Sequence, residues 1–370
     1  MRRLFALLII STSLAAFAKV PPLRYADACS LTVINRALPD SLPYRRVNPD
    51  RYEGMSAAVA RLYSYSSGLS VLFRTDSRYI YARWRTGGNR QSPNIPAIAQ
   101  RGLDLYIMEN GRWLYAGVAK PQPASAADVA AEGVPVEYFS AVCVNMSDSI
   151  KECMLNLPIY DELLSLEVGV DPDAVVEALD SPYRRRVVFV GSSITNGSGV
   201  SRPGMAYPAR IGRSLMVETP NLGASGNFRL DSFFADIVAE TEADAFVFDA
   251  FSNPTAAQIS ERLEPFVAAV RAAHPTVPLI FIGTLVRPKG NFNLKVRAAE
   301  EAKREAERRA MAEVVRRFEG VYYIDPGMPI GTDGEATADG IHPTDMGFDR
   351  MLSAILPRIE ALLREHGILE

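Results

Sequence analysis

The stretch Val187-Val188-Phe189-Val190-Gly191-Ser192-Ser193-Ile194-Thr195-Asn196-Gly197 places four apolar residues directly before a turn of small and hydroxyl-bearing residues. An apolar run without alternation is typical of a strand buried on both faces, as in a parallel sheet. A turn of small residues after such a strand can present a hydroxyl at the carboxyl end of the sheet, where ligands bind in open α/β folds. By itself, however, this turn is equally consistent with an ordinary helix cap.

Three more apolar runs follow downstream, at residues 245–248, 279–282 and 321–324. Helical stretches separate them, and the clearest one extends from about Leu294 to Phe318, where Ala, Glu, Lys and Arg dominate. Alternating strands and helices predict an α/β fold in which helices cover a parallel sheet. The chemistry of such a fold is expected at the carboxyl ends of its strands.

The sequence before residue 180 has a different residue pattern. Short β-rich runs, for example at residues 69–73, 79–84 and 103–107, alternate with breaks that contain Gly, Asn and Pro. Period-two runs with this spacing predict an antiparallel β-sandwich. We therefore expect an N-terminal β-sandwich domain over residues 19–180 and a catalytic α/β domain over residues 181–370.

The first residues have the pattern of an export signal. Two arginines follow the first methionine, residues 4–14 form an apolar run, and Ala16-Phe17-Ala18 fits the small-x-small rule for cleavage. We predict a signal peptide over residues 1–18 and a periplasmic or secreted protein. No later stretch is long and apolar enough to predict a membrane span. The net charge of −3, with both signs interspersed, gives no indication of nucleic-acid binding.

Three cysteines remain after the predicted cleavage: Cys29, Cys143 and Cys153. An odd number leaves at least one thiol unpaired. Cys143 and Cys153 could close a short loop in an oxidising compartment, or all three could be free thiols. The three histidines, at positions 274, 342 and 366, are scattered and give no Cys/His pattern for a zinc site. We therefore expect no metal.

Asp339-Gly340-Ile341-His342-Pro343 follows the last predicted strand. A carboxylate three residues before a histidine can reach the Nδ1 atom of the ring, which leaves Nε2 free to accept a proton. His342 is thus the candidate general base, with Asp339 as its partner. His274 and His366 are better explained as residues at helix ends.

Two polar loops complete the set of candidate residues. A further strand, the second along the chain, is expected just before residue 221. Gly226 lies in the loop after it, and Asn253 lies in the loop after the third strand, at residues 245–248. The backbone N–H of Gly226, the side-chain amide of Asn253 and the N–H of Ser193 would make a three-donor oxyanion hole. Each loop alone resembles an ordinary turn. Their occurrence in order at successive strand ends is what indicates a shared active site.

With these blocks in place, the C-terminal half resembles the SGNH (GDSL-like) hydrolase superfamily, whose signature residues match Ser193, Gly226, Asn253 and His342. The resemblance implies Ser193 as nucleophile, Asp339 as triad acid, a flavodoxin-like sheet and no cofactor. The N-terminal half resembles the jelly-roll-like β-domain of a subfamily with a Gly-x-Asp-Leu-Tyr motif, matched at residues 102–106.

Two positions depart from the commonest family pattern. The usual Gly-Asp-Ser reads Gly191-Ser192-Ser193, and the third block reads Phe251-Ser252-Asn253-Pro254. The Gly-Ser-Ser-Ile-Thr sequence and Ser-Arg-Pro-Gly-Met at residues 201–205 resemble the same subfamily. Ser192 is an alternative nucleophile, although the position before Ile-Thr is the one that the family uses.

The resemblance implies a serine esterase that acts through an acyl-enzyme, with a short acyl group, acetyl foremost, on a carbohydrate as the expected substrate. Arg202 and Tyr207 are weak candidates for contacts to the alcohol, with packing at the start of the next helix as the alternative. An acyltransferase or a lipase-like acylhydrolase could use the same site. A catalytically inert glycan-binding protein is a further alternative, which the complete set of site residues disfavours.

Overall fold

The structure of the chain, a computed structural model, describes residues 20–122 and 132–370. The strands of the N-terminal half are β1 (Arg24–Asp27), β2 (Thr32–Ile34), β3 (Ser70–Thr75), β4 (Ile80–Thr86), β5 (Leu103–Glu109), β6 (Arg112–Ala119), β7 (Val136–Cys143), β8 (Lys151–Asn156), β9 (Leu163–Val170) and β10 (Val176–Ala178). Two short helices, α1 (Ala57–Ser64) and α2 (Ala97–Arg101), lie between them. The predicted signal peptide, residues 1–18, lies outside the described residues.

The N-terminal strands form two antiparallel sheets. One has the order β1-β9-β4-β7, and the other has the order β10-β3-β8-β5-β6 with β2 paired to β3. Along β4 the buried residues alternate with more exposed ones, as expected for a strand with one face in a core. Apolar side chains of both sheets, among them Phe73 and Trp84, share that core. The prediction of an antiparallel N-terminal β-domain is confirmed.

The elements of the C-terminal half are β11 (Val187–Gly191), α3 (Ser193–Asn196), α4 (Tyr207–Leu215), β12 (Asn221–Gly223), α5 (Ser232–Glu240), β13 (Ala245–Asp249), α6 (Ala256–Ala273), β14 (Leu279–Ile282), α7 (Leu294–Arg317), β15 (Val321–Ile324) and α8 (Asp345–Glu365). All five strands are parallel, in the order β12-β11-β13-β14-β15. This is the flavodoxin-like strand order. The predicted α/β fold is confirmed, and each of the four apolar runs forms a strand.

Each face of the parallel sheet has its own apolar core. One core contains residues of α4 and α8, and the other contains residues of α5, α6 and α7. The second core also includes Ala37, Val47 and Tyr63, which pack with Phe228 and Phe234 although they belong to the N-terminal half. The boundary near residue 180 therefore separates the sheets but not the cores, because this N-terminal segment buries its apolar side chains on the α/β layer.

The two motifs that suggested the subfamily contact each other. Asp104 is completely buried and accepts hydrogen bonds from the Gly204 N–H at 3.0 and 3.2 Å. It also pairs with the Arg202 guanidinium at 3.1 Å, and that guanidinium stacks on the Tyr115 ring. Burial raises the pKa of Asp104, and the charges of Arg213 and Arg202 oppose that rise. The Gly-x-Asp-Leu-Tyr segment is thus an anchor between the two halves.

Four aromatic residues of the N-terminal half are buried: Tyr65, Trp84, Tyr106 and Trp113. Of these, only Tyr65 lines a cleft described below. The thiols of Cys29, Cys143 and Cys153 are all free. Within residues 20–122 and 132–370, no helix has the length and apolar character that crossing a membrane requires.

Candidate active site

The turn after β11 exposes one hydroxyl to the site and buries the other. Ser193 begins α3, and Ser192 caps that helix by accepting a hydrogen bond from the Ile194 N–H at 3.2 Å. A Cβ on Gly191 would lie 2.5 Å from Thr195 Oγ1 and 2.7 Å from the Asp249 carbonyl oxygen. The tight approach of β13 to this turn therefore requires glycine at position 191.

Three side chains form a continuous hydrogen-bonded chain. Ser193 Oγ lies 3.0 Å from His342 Nε2, and His342 Nδ1 lies 2.7 Å from Asp339 Oδ2. These distances allow the histidine to take the serine proton while the carboxylate fixes the ring tautomer. The structure therefore brings together Ser193, His342 and Asp339, although 149 residues separate the serine from the histidine.

The Asp339 carboxylate is held as an anion. Its Oδ1 accepts hydrogen bonds from the backbone N–H groups of Ile341 at 3.0 Å and His342 at 2.8 Å. Its Oδ2 accepts from the His342 ring and from Asn94 Nδ2, the latter at 2.9 Å. Burial alone would raise the pKa of Asp339, but the His342 and Asn94 hydrogen bonds outweigh it and lower the pKa to about 2. The carboxylate is therefore ionised throughout the neutral range.

Ser192, the alternative nucleophile, is fully buried and points to a neighbouring strand end. Its hydroxyl donates to Asp249 Oδ2 at 2.6 Å, and the same carboxylate accepts from Thr195 Oγ1 at 3.2 Å and Ser252 Oγ at 3.0 Å. Burial raises the pKa of Asp249, and the hydrogen bonds from Ser192 and Ser252 oppose that rise. Asp249 thus links the nucleophile turn to the loop that contains Asn253.

Gly226 and Asn253 follow the two strands that flank β11. Gly226 is exposed and has a φ of 71°, a left-handed conformation that favours glycine. Asn253 Oδ1 is buried without a hydrogen-bond partner among the described residues. The residue before Asn253 is held firmly, because the Ser252 carbonyl accepts from Arg287 at 2.6 Å and from Lys303 at 3.3 Å. Both candidate donors lie at the same edge of the sheet as Ser193.

Two of the sequence-predicted residues have other roles. The interpretation of Tyr207 as a contact for the alcohol is wrong, because its side chain is completely buried between Phe189 and Phe348. Its hydroxyl lies 3.1 Å from Thr195 Oγ1. The structure also corrects the interpretation of Arg202, whose guanidinium pairs with Asp104, stacks on the Tyr115 ring and donates to the Tyr106 hydroxyl.

A cleft of about 640 Å³ opens beside the Gly226 loop. Ser225 and Asn227, which flank Gly226, line one side, and residues 89–93 of the N-terminal half line another. The remaining lining is largely polar or aromatic and includes Arg61, Tyr65, Gln100, Glu132 and Tyr160. Ser193 and His342 do not line this cleft, which lies beside the Gly226 loop. Its hydroxyl, amide and guanidinium groups can hydrogen-bond a hydroxyl-rich ligand.

Sequence reasoning missed Asn94 and the role of Asp249. Asp249 directly follows an apolar run at the carboxyl edge of the sheet, a position that the sequence itself shows. Asn94 has no such signal, because it lies in a polar loop of the other half, 248 residues before His342. Among the described residues, no group of three His, Cys, Asp or Glu side chains is arranged to hold a metal ion.

Comparisons with known proteins identify the family of each half of the chain. The sequence profile of the GDSL-like Lipase/Acylhydrolase family matches residues 184–360. The profile described as the N-terminus of Esterase_SGNH_hydro-type proteins matches residues 23–176. No curated protein matches the sequence.

Among solved structures, a GDSL-like lipase from Bacteroides ovatus is 39% identical, with a TM-score of 0.86 over 93% of this chain and 98% of that one. A salicylyl-acyltransferase from a tetracycline biosynthetic pathway is 19% identical, with a TM-score of 0.67 over 92% and 97% of the two chains. A family two carbohydrate esterase from Clostridium thermocellum, in complex with cellohexaose, is 13% identical, with a TM-score of 0.55 over 80% and 93%. The last two similarities show the fold alone. The chain belongs to the GDSL-like lipase/acylhydrolase, or SGNH hydrolase, family and is an esterase-type hydrolase.

Proposed function

We propose that this protein is an exported serine esterase that removes short acyl groups, acetyl foremost, from carbohydrate hydroxyls. The observation that carries the proposal is the hydrogen-bonded chain from Ser193 through His342 to Asp339. The pattern of residues 1–18 supports export to the periplasm or the medium.

The triad geometry supports the following reaction. His342 Nε2 takes the proton of Ser193 as its Oγ attacks the acyl carbonyl, and the ionised Asp339 stabilises the resulting imidazolium. The N–H groups of Ser193 and Gly226 and the amide of Asn253 bind the developing oxyanion. His342 then gives its proton to the departing alcohol. A water molecule, deprotonated by His342, attacks the acyl-enzyme and releases the acid.

Two observations support a small acyl group on a polar alcohol. The loop after Ser193 packs directly on the catalytic histidine's segment, since a Cβ on Gly199 would lie 2.3 Å from the Pro343 carbonyl oxygen. The loop itself is polar and compact, with Asn196, Ser198 and Ser201, whereas a long acyl chain needs a continuous apolar groove to gain ~0.8 kcal/mol per methylene. The polar cleft beside Gly226 can receive a sugar, and one structural relative is a carbohydrate esterase in complex with cellohexaose.

We expect kcat/KM to fall from p-nitrophenyl acetate to the octanoate by about tenfold or more, because a poorly accommodated chain costs ~1–3 kcal/mol in the transition state. Acetate should also be released from an acetylated oligosaccharide by the full-length protein and not by the Ser193→Ala variant. If kcat/KM stayed flat or rose with acyl chain length and no acetate were released, the proposal of a carbohydrate substrate would be rejected in favour of a lipase. Formation of a new ester with an added alcohol would instead favour an acyltransferase.

The Asn253→Ala variant should lose roughly 10²–10³-fold in kcat with little change in KM, as expected for a donor aimed at charge that develops in the transition state. Steady-state kinetics on p-nitrophenyl acetate measures both constants. Asn253→Asp is the matched variant, because it keeps the shape and removes the donor, and it should be at least as impaired. A change in KM alone would make Asn253 a substrate-binding or structural residue.

A further inference from the structure

A loop of the N-terminal half reaches the triad. Asn94 Nδ2 donates to Asp339 Oδ2 at 2.9 Å and lies 3.1 Å from His342 Nδ1. It thus contacts both the acid and the base of the triad from a loop of the N-terminal half. No signature block of the sequence includes this residue.

Neighbouring contacts fix the position of this loop. The Ser92 N–H donates to Gln100 Oε1 at 2.8 Å, and Gln91 Nε2 donates to the Ile95 carbonyl at 2.6 Å. Ile95 itself is 4% exposed and belongs to the core between the parallel sheet and α8. The residue after Asn94 is therefore anchored in the catalytic domain, which limits how far Asn94 can move.

The orientation of the Asn94 amide is also determined. Ser92 Oγ donates to Asn94 Oδ1 at 2.8 Å, so the oxygen of the amide faces Ser92 and the nitrogen faces Asp339. A carboxylate only accepts, and it therefore requires the nitrogen on its side. Both partners select the same orientation, and a hydrogen-bonded relay runs from Ser92 through Asn94 and Asp339 to His342.

Asn94 completes the hydrogen bonding of the Asp339 carboxylate. Two backbone N–H groups donate to Oδ1, while Oδ2 accepts from two donors among the described residues, the His342 ring and Asn94. Asn94 is the one of these four donors that comes from the N-terminal half. Without it, the carboxylate could rotate about its Oδ1 bonds, and the direction of Oδ2 toward the ring would be less well determined.

We propose that Asn94 is a positioning residue that the N-terminal domain supplies to the triad, and that it acts by holding the Asp339 carboxylate in line with His342. The inference rests on the proposed role of the triad. In this proposal the N-terminal domain is part of the catalytic unit, whether or not it contacts the substrate.

A double-mutant cycle with Asp339 tests the proposal. Asn94→Ala should lower kcat about tenfold with KM unchanged, as expected for a lost hydrogen bond to a charged group that water partly replaces. In the Asp339→Asn background the same change should alter kcat less than about twofold, because the two residues act through one contact. Asn291→Ala, which removes an exposed asparagine without a side-chain hydrogen bond among the described residues, should leave kcat unchanged.

The isosteric Asn94→Asp variant distinguishes positioning from packing. It keeps the shape of Asn94 but places a second carboxylate beside Asp339, and like charges repel at this distance. We expect a larger loss of kcat than for Asn94→Ala, with melting temperatures of both variants near that of the wild type.

Three results would overturn the proposal: equal losses in the two Asp339 backgrounds, a change confined to KM, or Asn94→Asp with wild-type activity. If Ser193→Ala retained activity, the proposed function itself would fail. If Ser193→Ala is inactive and Asn94→Ala is fully active, only the role of Asn94 is rejected.

Discussion

The Ser193→Ala variant is expected to lose roughly 10⁴–10⁶-fold in kcat, because removal of an attacking hydroxyl disables both steps of the reaction at once. The variant should remain folded, since the Ser193 hydroxyl bonds only to His342 among the described side chains. Kinetics on p-nitrophenyl acetate and a thermal melt measure the two effects. A fluorophosphonate should label the wild type on the peptide that contains Ser193.

Ser192→Ala is the matched control for the nucleophile. Its hydroxyl caps α3 and donates to the buried Asp249, so its loss should cost ~1–2 kcal/mol in the free energy of unfolding. Activity should fall far less than in Ser193→Ala. A folded but inactive Ser192→Ala together with an active Ser193→Ala would reverse the assignment of the nucleophile.

The second large effect is expected at Arg46, which is 1% exposed. Its guanidinium donates to the Asn221 and Gly223 carbonyls, each at 2.9 Å, and to the Tyr65 carbonyl at 3.0 Å. It thus ties the N-terminal segment to β12, the strand before the Gly226 loop. Burial lowers the pKa of Arg46 to about 10, so the group is still charged at neutral pH.

Arg46→Met should lower the free energy of unfolding by ~3–5 kcal/mol, because the side chain fills similar space but leaves several buried carbonyls without a donor. The shift of the urea midpoint measures this loss. Arg51→Met is the control, since Arg51 forms an exposed pair with Glu240 and the loss of that pair should cost less than ~1 kcal/mol. An Arg46→Met midpoint close to that of the control would mean that the carbonyls find other partners.

The sequence by itself determined the class of each half and the order of the parallel strands along the chain. Strands buried on both faces must be apolar throughout. Four such runs can therefore be recognised as strands from the sequence, at residues 187–190, 245–248, 279–282 and 321–324. The same argument located the candidate site, because chemistry in such folds lies just after these runs. Ser193 and Asn253 were found in this way, whereas Gly226 follows β12, which is not one of these apolar runs. The catalytic roles of all three residues stay predictions.

Only the tertiary structure decided which polar groups meet. Hydrogen bonds are directional and short, and a pattern of residue types along the chain contains no distances between remote loops. Asn94 meets His342 across 248 residues, and Arg46 meets Asn221 across 175. The packing of the N-terminal half on the parallel sheet produces both contacts. The same packing pairs Arg202 with Asp104, whereas Phe189 and Phe348 of the C-terminal half bury Tyr207. Both residues, which the sequence analysis offered as substrate contacts, instead stabilise the fold.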